Sequence, residues 1–304
     1  MEKNENKSGG IHKLTVGDMV FYFFLYLFML LFCIVTVYPV VNTLAISFND
    51  GVDAMRGGVH LWPRMFTTQN YSVVLALRSI GRGAIISVLR TVLGTLFAVV
   101  ANALLAFIVS QKNFIFRSQL SLFWVITMYV NGGMIPIMLL YRNLHLTNSF
   151  WVYVIPGMIS GFNMLVMRTY MEGLPDSLQE AAQIDGAGYM KIFVSVVSPL
   201  CKPIYATIAL FVAVGQWNSW FDTMLYNRMA DQYTTLQYEL MKMLSAVTSL
   251  KGNAGAATTG TSVNITPISV RAAATIITMA PIVMLYPFLQ RYFVTGLTIG
   301  GVKE

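Results

Sequence analysis

A chain of 304 residues that is 56% hydrophobic and only 11% charged, with a mean hydropathy of +0.63, is too apolar for a soluble domain, which carries about 25% charged residues. The formal net charge of +7 contains no basic run, which removes nucleic acid as a partner. Two isolated cysteines, Cys33 and Cys201, and three scattered histidines, His12, His60 and His145, exclude a disulfide framework and a metal site.

The remaining class is an integral membrane protein, and its elements follow from where the charges stop. After a tail at 1–18, uncharged runs cover 19–48, 91–111, 118–141, 146–167, 203–221 and 272–290. Each reaches the roughly 17–25 residues that cross a hydrocarbon core of about 30 Å. Backbone polar groups find no water in lipid, so the runs are expected to be helical. The prediction is an all-α membrane protein with six transmembrane helices. At about 1.5 Å per residue the first run would extend roughly 45 Å, which calls for a tilt or a bend at Pro39 and is too long for a signal peptide.

Six crossings put both termini on one side. Lys3, Lys7 and Lys13 precede the first helix, and the short turn holding Lys112 and Arg117 outweighs the lone Arg142, which places both termini in the cytoplasm. Residues 49–82 are then an external loop, 83–293 the core, 172–203 a cytoplasmic loop, 222–270 a second external loop and 294–304 a cytoplasmic tail. Within 222–270, Leu236, Leu240, Met243, Leu244 and Val247 recur at helical spacing and predict a surface helix, followed by a small, polar stretch at 252–261.

The 172–203 loop is polar and ordered in pattern. Ser177 with Glu180, or alternatively Asp176 with Gln179, has the spacing of a helix capping box. Gly186 after Asp185 is a helix stop. A second helix is predicted over 187–197, with Ile192, Phe193 and Val196 on its apolar side, before Pro199 and Pro203 mark the next span. The small Ala181, Ala182 and Gly186 let another surface approach the backbone. Local chemistry fits two readings equally: a docking element, or a well-capped connection and nothing more.

Glu180-Ala181-Ala182, Gly186 and Pro199, placed before the penultimate span, resemble the EAA loop of ABC importer permeases, with Ser198 where that family usually has Leu. The segment Tyr286 to Val294 with Gly296, Gly301 and Val302, the run Gly132 to Pro136, and Trp217 to Asp222 resemble carbohydrate-type permeases of the maltose and Lpl–Ytc kind; the likeness covers about 20–304. The resemblance implies a type I ABC importer permease fold in a bacterial cytoplasmic membrane and half of a translocation pathway for an oligosaccharide. It implies partners: a second permease, usually a different chain, ATP-binding subunits and an extracytoplasmic solute-binding protein. No G-x-x-x-x-G-K-[ST] phosphate loop occurs, so the chain is expected to be a transport subunit and not an enzyme, with ATP and Mg in the partner and no cofactor of its own. Carried over by position, Glu180, Ala181, Ala182, Asp185 and Gly186 would couple the spans to that ATPase.

Hydrogen-bonding and aromatic groups in spans, namely Asn131, Asn163, Gln216, Trp217 and Asn218, are candidates for the substrate pathway, against ordinary roles as interhelical glue or interfacial anchors. Arg90 either marks where the second span begins or selects an anionic, acidic oligosaccharide. The competing functions are a permease for a non-sugar solute, an ion-coupled secondary transporter and a membrane enzyme. None of the six runs holds an acidic residue or histidine for ion coupling, and no acid–base pair or nucleophile constellation is visible.

Overall fold

A computed structural model describes the backbone over 15–252 and 266–298, and side chains through 245 and from 266 to 284. The predicted features at 253–261, Val247 and the Tyr286–Val294 side chains, and Gly301 with Val302, lie outside the described residues. The helices in chain order are α1 (Val16–Ser47), α2 (Gly51–Met55), α3 (Gln69–Ala76), α4 (Arg78–Ser110), α5 (Arg117–Tyr129), α6 (Met134–Asn143), α7 (Gly161–Glu172), α8 (Asp176–Ile184), α9 (Tyr189–Ile192), α10 (Ser198–Leu200), α11 (Lys202–Asn218), α12 (Phe221–Tyr226), α13 (Leu236–Gly252) and α14 (Pro267–Thr298). Among the described residues there is no β-strand, only one isolated bridge between Asn49 and Phe66.

Helix α4 is the centre of the bundle, with α7, α11 and α13 packed on it. One core lies at its C-terminal end, where Ala106 and Phe107 meet Met164, Met167, Ile192 and Val197. A second lies at its N-terminal end, where Ile80 meets Val74, Trp217, Leu236 and Ala273. Close approach is made possible by missing side chains. A Cβ on Gly83 would lie 3.1 Å from the Leu236 backbone nitrogen, and one on Gly161 would lie 2.8 Å from the Trp124 carbonyl. By contrast α1 exposes nearly its whole apolar surface and packs chiefly against α14. It runs unbroken through Pro39, whose carbonyl accepts from the Thr43 hydroxyl at 2.8 Å.

Helices α1, α4 and the 267–284 part of α14 are long and apolar enough to cross a bilayer alone; two bent pairs, α5 with α6 and 189–200 with α11, bring the number to five. Two of the predicted continuous helices are therefore corrected. The 118–141 run bends by 115° between α5 and α6, where Gly133 adopts φ +87° and the Asn131 side chain accepts its N–H at 2.9 Å. The 146–167 run is helical only from Gly161; before that it is a short 3-10 turn at Phe150–Tyr153 and irregular chain through Pro156 and Gly157. Proline and glycine there deny the backbone a helical ladder. The second span also differs: the helix begins at Arg78, so Arg90 lies well inside it. The predicted surface helix exists as α13, but Leu236 and Leu240 are buried in the second core.

Candidate functional site: the 172–203 loop and the Arg90 cluster

The loop folds as a helix, a glycine turn and a return. Helix α8 ends in a Schellman turn: Ala187 N–H donates to the Ala182 carbonyl and Gly186 N–H to the Gln183 carbonyl, both at 2.9 Å, with Gly186 at φ +77°. Only glycine enters that left-handed region without cost. The return passes through α9, a π turn at Phe193–Val197 and α10. Ile192, Phe193 and Val197 are buried under the turn, and Phe193 packs on Phe107 of α4 with ring centroids 5.1 Å apart. The extra residue of the π turn brings Val197 into the core beside the expected Ile192 and Phe193.

Neither expected capping box forms. Pro175 occupies the cap position of α8 with no side-chain bond. Asp176 instead pairs with Lys112, and Gln179 accepts from Gln111 Nε2 at 3.2 Å. The turn after α4 thus holds the first turn of α8. Beside it, Glu172 at the end of α7 takes Arg117 from α5 and Arg168 at 2.7 Å. Burial alone would raise the Glu172 pKa, but hydrogen bonds from Arg168 and Arg117 outweigh it and hold the carboxyl below its ordinary value. This clasp leaves the outer face of the loop uncovered. Glu180, Ala181, Asp185 and Gly186 are exposed, while Ala182 packs towards the first core. Around them Ile184 is 87% exposed, Met190 65% and Tyr189 56%.

The second cluster is built on Arg90, which is only 2% exposed. Its Nε and Nη2 donate to Gln216 Oε1 at 3.1 and 2.9 Å, its Nη1 to the Ser219 carbonyl at 3.3 Å and to Asp222 Oδ1 at 3.2 Å, and Nη2 also to Asp222 Oδ2. All five guanidinium N–H groups are used within the chain. The guanidinium also lies 4.3 Å from the Tyr153 ring centroid. Arg90 therefore has no donor left for an anion, which overturns the anion-selective reading.

These polar groups do structural service for the irregular 148–160 segment. Gln216 Nε2 donates to the Tyr153 carbonyl at 3.0 Å and Asn227 to the Ser149 carbonyl at 3.1 Å. The fully buried Asn102 of α4 donates to the Met158 carbonyl at 2.9 Å and accepts the Ser160 N–H at 3.0 Å. Non-helical backbone at membrane depth must be satisfied in this way or by water. The sequence reading missed Asn102, Tyr153 and Asp222 as parts of this cluster. An asparagine inside an apolar run was the available signal for the first.

Of the pathway candidates, Gln216 alone reaches the cluster. Together with Arg90, Tyr141, Tyr153, Asp222 and Tyr226 it lines a shallow cavity of about 430 Å³. Trp217 points the other way, buried, its indole donating to the Thr278 carbonyl at 3.0 Å. Asn218 is exposed and accepts from Gln237 at 3.5 Å. Asn131 caps the α5–α6 bend, and Asn163 lies in the first turn of α7, its N–H on the Ser160 hydroxyl. The structure does not gather these five into one site.

No protein-family model matches the chain. The polygalacturonan/rhamnogalacturonan transport system permease protein YtcP of Bacillus subtilis is 30% identical over 286 residues, 94% of this chain and 99% of the relative. The protein LplC of the same organism is 30% identical over 272 residues, 88% of this chain and 90% of its own. The arabinooligosaccharides transport system permease protein AraQ of Halalkalibacterium halodurans is 28% identical over 277 residues, 88% of this chain and 92% of its own. Among solved structures, a chain of a bacterial ABC transporter involved in the import of the acidic polysaccharide alginate matches with a TM-score of 0.84 at 26% identity, covering 92% of this chain and 98% of that one.

Proposed function

Since the chain belongs to the permease subunits of sugar ABC importers, we propose that it forms one half of a translocation pathway for an oligosaccharide, with the 172–203 loop as the docking site for a partner ATPase. The observation that carries this reading is the tip of the loop. Ile184, Tyr189 and Met190 are exposed apolar residues at a glycine turn whose return, through Ile192, Phe193 and Val197, is anchored in the core. An apolar patch of that kind, rimmed by Glu180 and Asp185, is the usual mark of a protein interface. Glu180, Ala181, Ala182, Asp185 and Gly186 set its backbone and its rim, and Gly186 fixes the turn.

The proposed topology has six crossings in a bacterial cytoplasmic membrane, counting α7 with the irregular segment before it as one. The domain division stated above goes with it. Lys112, Arg117, Arg168, Lys191 and Lys202 all lie at the loop end of the bundle, which favours that end, and hence both termini, in the cytoplasm. A second permease would complete the pathway, a solute-binding protein would deliver the sugar at the opposite face, and ATP with Mg would be handled by the ATPase. The switch between inward-open and outward-open states is then a population shift driven by the partner, with no covalent chemistry on the sugar.

The test is copurification and ATP hydrolysis with the assembled importer. Ile184→Asp and Gly186→Asp are expected to lose the ATPase from the purified complex and abolish transport, while the permease stays in the membrane at parental level. Variants that retain the ATPase and transport normally would sink the docking assignment.

A further inference from the structure

We infer that the cavity beside Arg90 is a binding station for a sugar ring, one that reads hydroxyl groups and not charge; the inference rests on the oligosaccharide reading above. Its size, about 430 Å³, falls within the range of small-molecule sites, roughly 300–1,000 Å³. Its wall includes Pro156 and Gly157 of the irregular segment. Non-helical backbone at membrane depth is tolerated where it is buried in protein or lines a water-filled cavity, so this wall fits a wet path.

The polar groups are asymmetric in what they leave open. Arg90 is buried and spends every donor inside the protein. Asp222, its partner, keeps 23% of its side chain exposed. The carboxylate takes Arg90 on both oxygens and the Thr223 N–H on Oδ1 at 2.8 Å. A carboxylate accepts about four hydrogen bonds, so acceptor capacity remains on the open side. The two charges cancel, and the cavity offers a neutral surface with an acceptor edge. The rings of Tyr141 and Tyr226 stand beside it, centroids 5.1 Å apart and inclined at 58°. Neither hydroxyl hydrogen-bonds to another described residue. An apolar ring face, two free hydroxyls and one carboxylate edge match the apolar face and hydroxyl rim of a pyranose. A carboxylate on the ligand would meet Asp222 with no unpaired cation among the lining residues to offset it, so an acidic sugar would have to present its hydroxyl edge here. Arg90 is a positioning residue that holds Asp222 in place.

The experiment uses the complete importer, with both permeases, the ATPase and the binding protein, in proteoliposomes. The probes are a neutral galacto-oligosaccharide mixture and an oligogalacturonide mixture. For whichever probe the parent takes up, Tyr141→Phe and Tyr226→Phe are each expected to lower uptake about three- to tenfold, the loss of one hydrogen bond, with the ATPase still copurifying. If both probes are carried, the loss is the same for each. A Tyr141→Phe/Tyr226→Phe double variant that transports at the parental rate overturns the inference, as does a loss confined to the acidic probe. A parent that carries neither probe, nor arabino-oligosaccharides nor alginate oligomers, despite an ATPase that copurifies and hydrolyses ATP, overturns the sugar reading itself, and the inference with it.

Discussion

Asn102 on α4 accepts the backbone N–H of Ser160 at 3.0 Å, across 58 residues of sequence. With its donation to the Met158 carbonyl, one buried side chain takes over two of the hydrogen bonds that the broken 146–160 segment cannot make for itself. The entry to α7, and so the position of the whole α7–α8 unit, depends on that amide.

Replacing Asn102 by Leu keeps the volume and removes both partners. Each buried backbone group left unsatisfied costs about 1–3 kcal/mol. A clear drop in the thermal unfolding midpoint in detergent is expected, larger than for Ser110→Ala, whose hydroxyl bonds only within its own helix at Phe107.

Asp222→Ala strands the Arg90 guanidinium in a site that is 2% exposed. Breaking a buried pair from one side costs about 3–5 kcal/mol, whereas replacing both partners with apolar residues is often neutral. The double variant Arg90→Met/Asp222→Leu should therefore be more stable than Asp222→Ala alone. A double-mutant cycle on unfolding midpoints measures the coupling.

Two glycine-to-alanine changes should have opposite signs. At Gly161 the new Cβ would lie 2.8 Å from the Trp124 carbonyl, backbone that cannot step aside, so α5 and α7 must separate at a cost of about 1–3 kcal/mol. At Gly215 in α11 a new Cβ would meet no described atom within 4 Å beyond its own helix backbone and chain neighbours, so the helix gains roughly 0.5–1 kcal/mol from the lost glycine flexibility. Paired thermal scans of the two variants decide this.

The Glu172 clasp should be lost in acid. Its folded pKa is depressed below the ordinary 4.5, so the stability it contributes is present above that value and disappears as pH falls through the folded one. Parent and Glu172→Gln should differ in unfolding midpoint near neutral pH, and the difference should shrink as pH falls below the ordinary 4.5 and through the depressed folded value. A difference that persists in acid would mean that the carboxylate charge is not what Arg117 and Arg168 hold.

Much of this architecture was legible from local pattern. The stop at Gly186, the buried face of the return helix and the existence of α13 all follow from spacing that acts over a few residues. The errors share a physical cause. Hydropathy counts charges and does not see whether a backbone ladder can close, so 146–167 read as a helix despite Pro156 and Gly157. Asp176 and Gln179 had the spacing of a cap, but Lys112 and Gln111, 64 and 68 residues upstream, offered better partners. Arg90 looked like the edge of a span because its partners, Gln216 and Asp222, lie more than a hundred residues away. Gln216 entered the cluster as a polar residue in a span should; Trp217, its neighbour, turns about 100° away to α14 and the second core and serves packing.

Helix α4 carries the Arg90 cluster and the Asn102 amide, and Gln111, its C-terminal cap, holds α8. From Arg90 to Gln111 is about 30 Å at roughly 1.5 Å per residue, along a rod that does not stretch. The loop and the cavity are thus fixed to one lever arm. A displacement of α8 that Gln111 passed to this helix would therefore move Arg90, and the Asp222 carboxylate paired with it, as one piece.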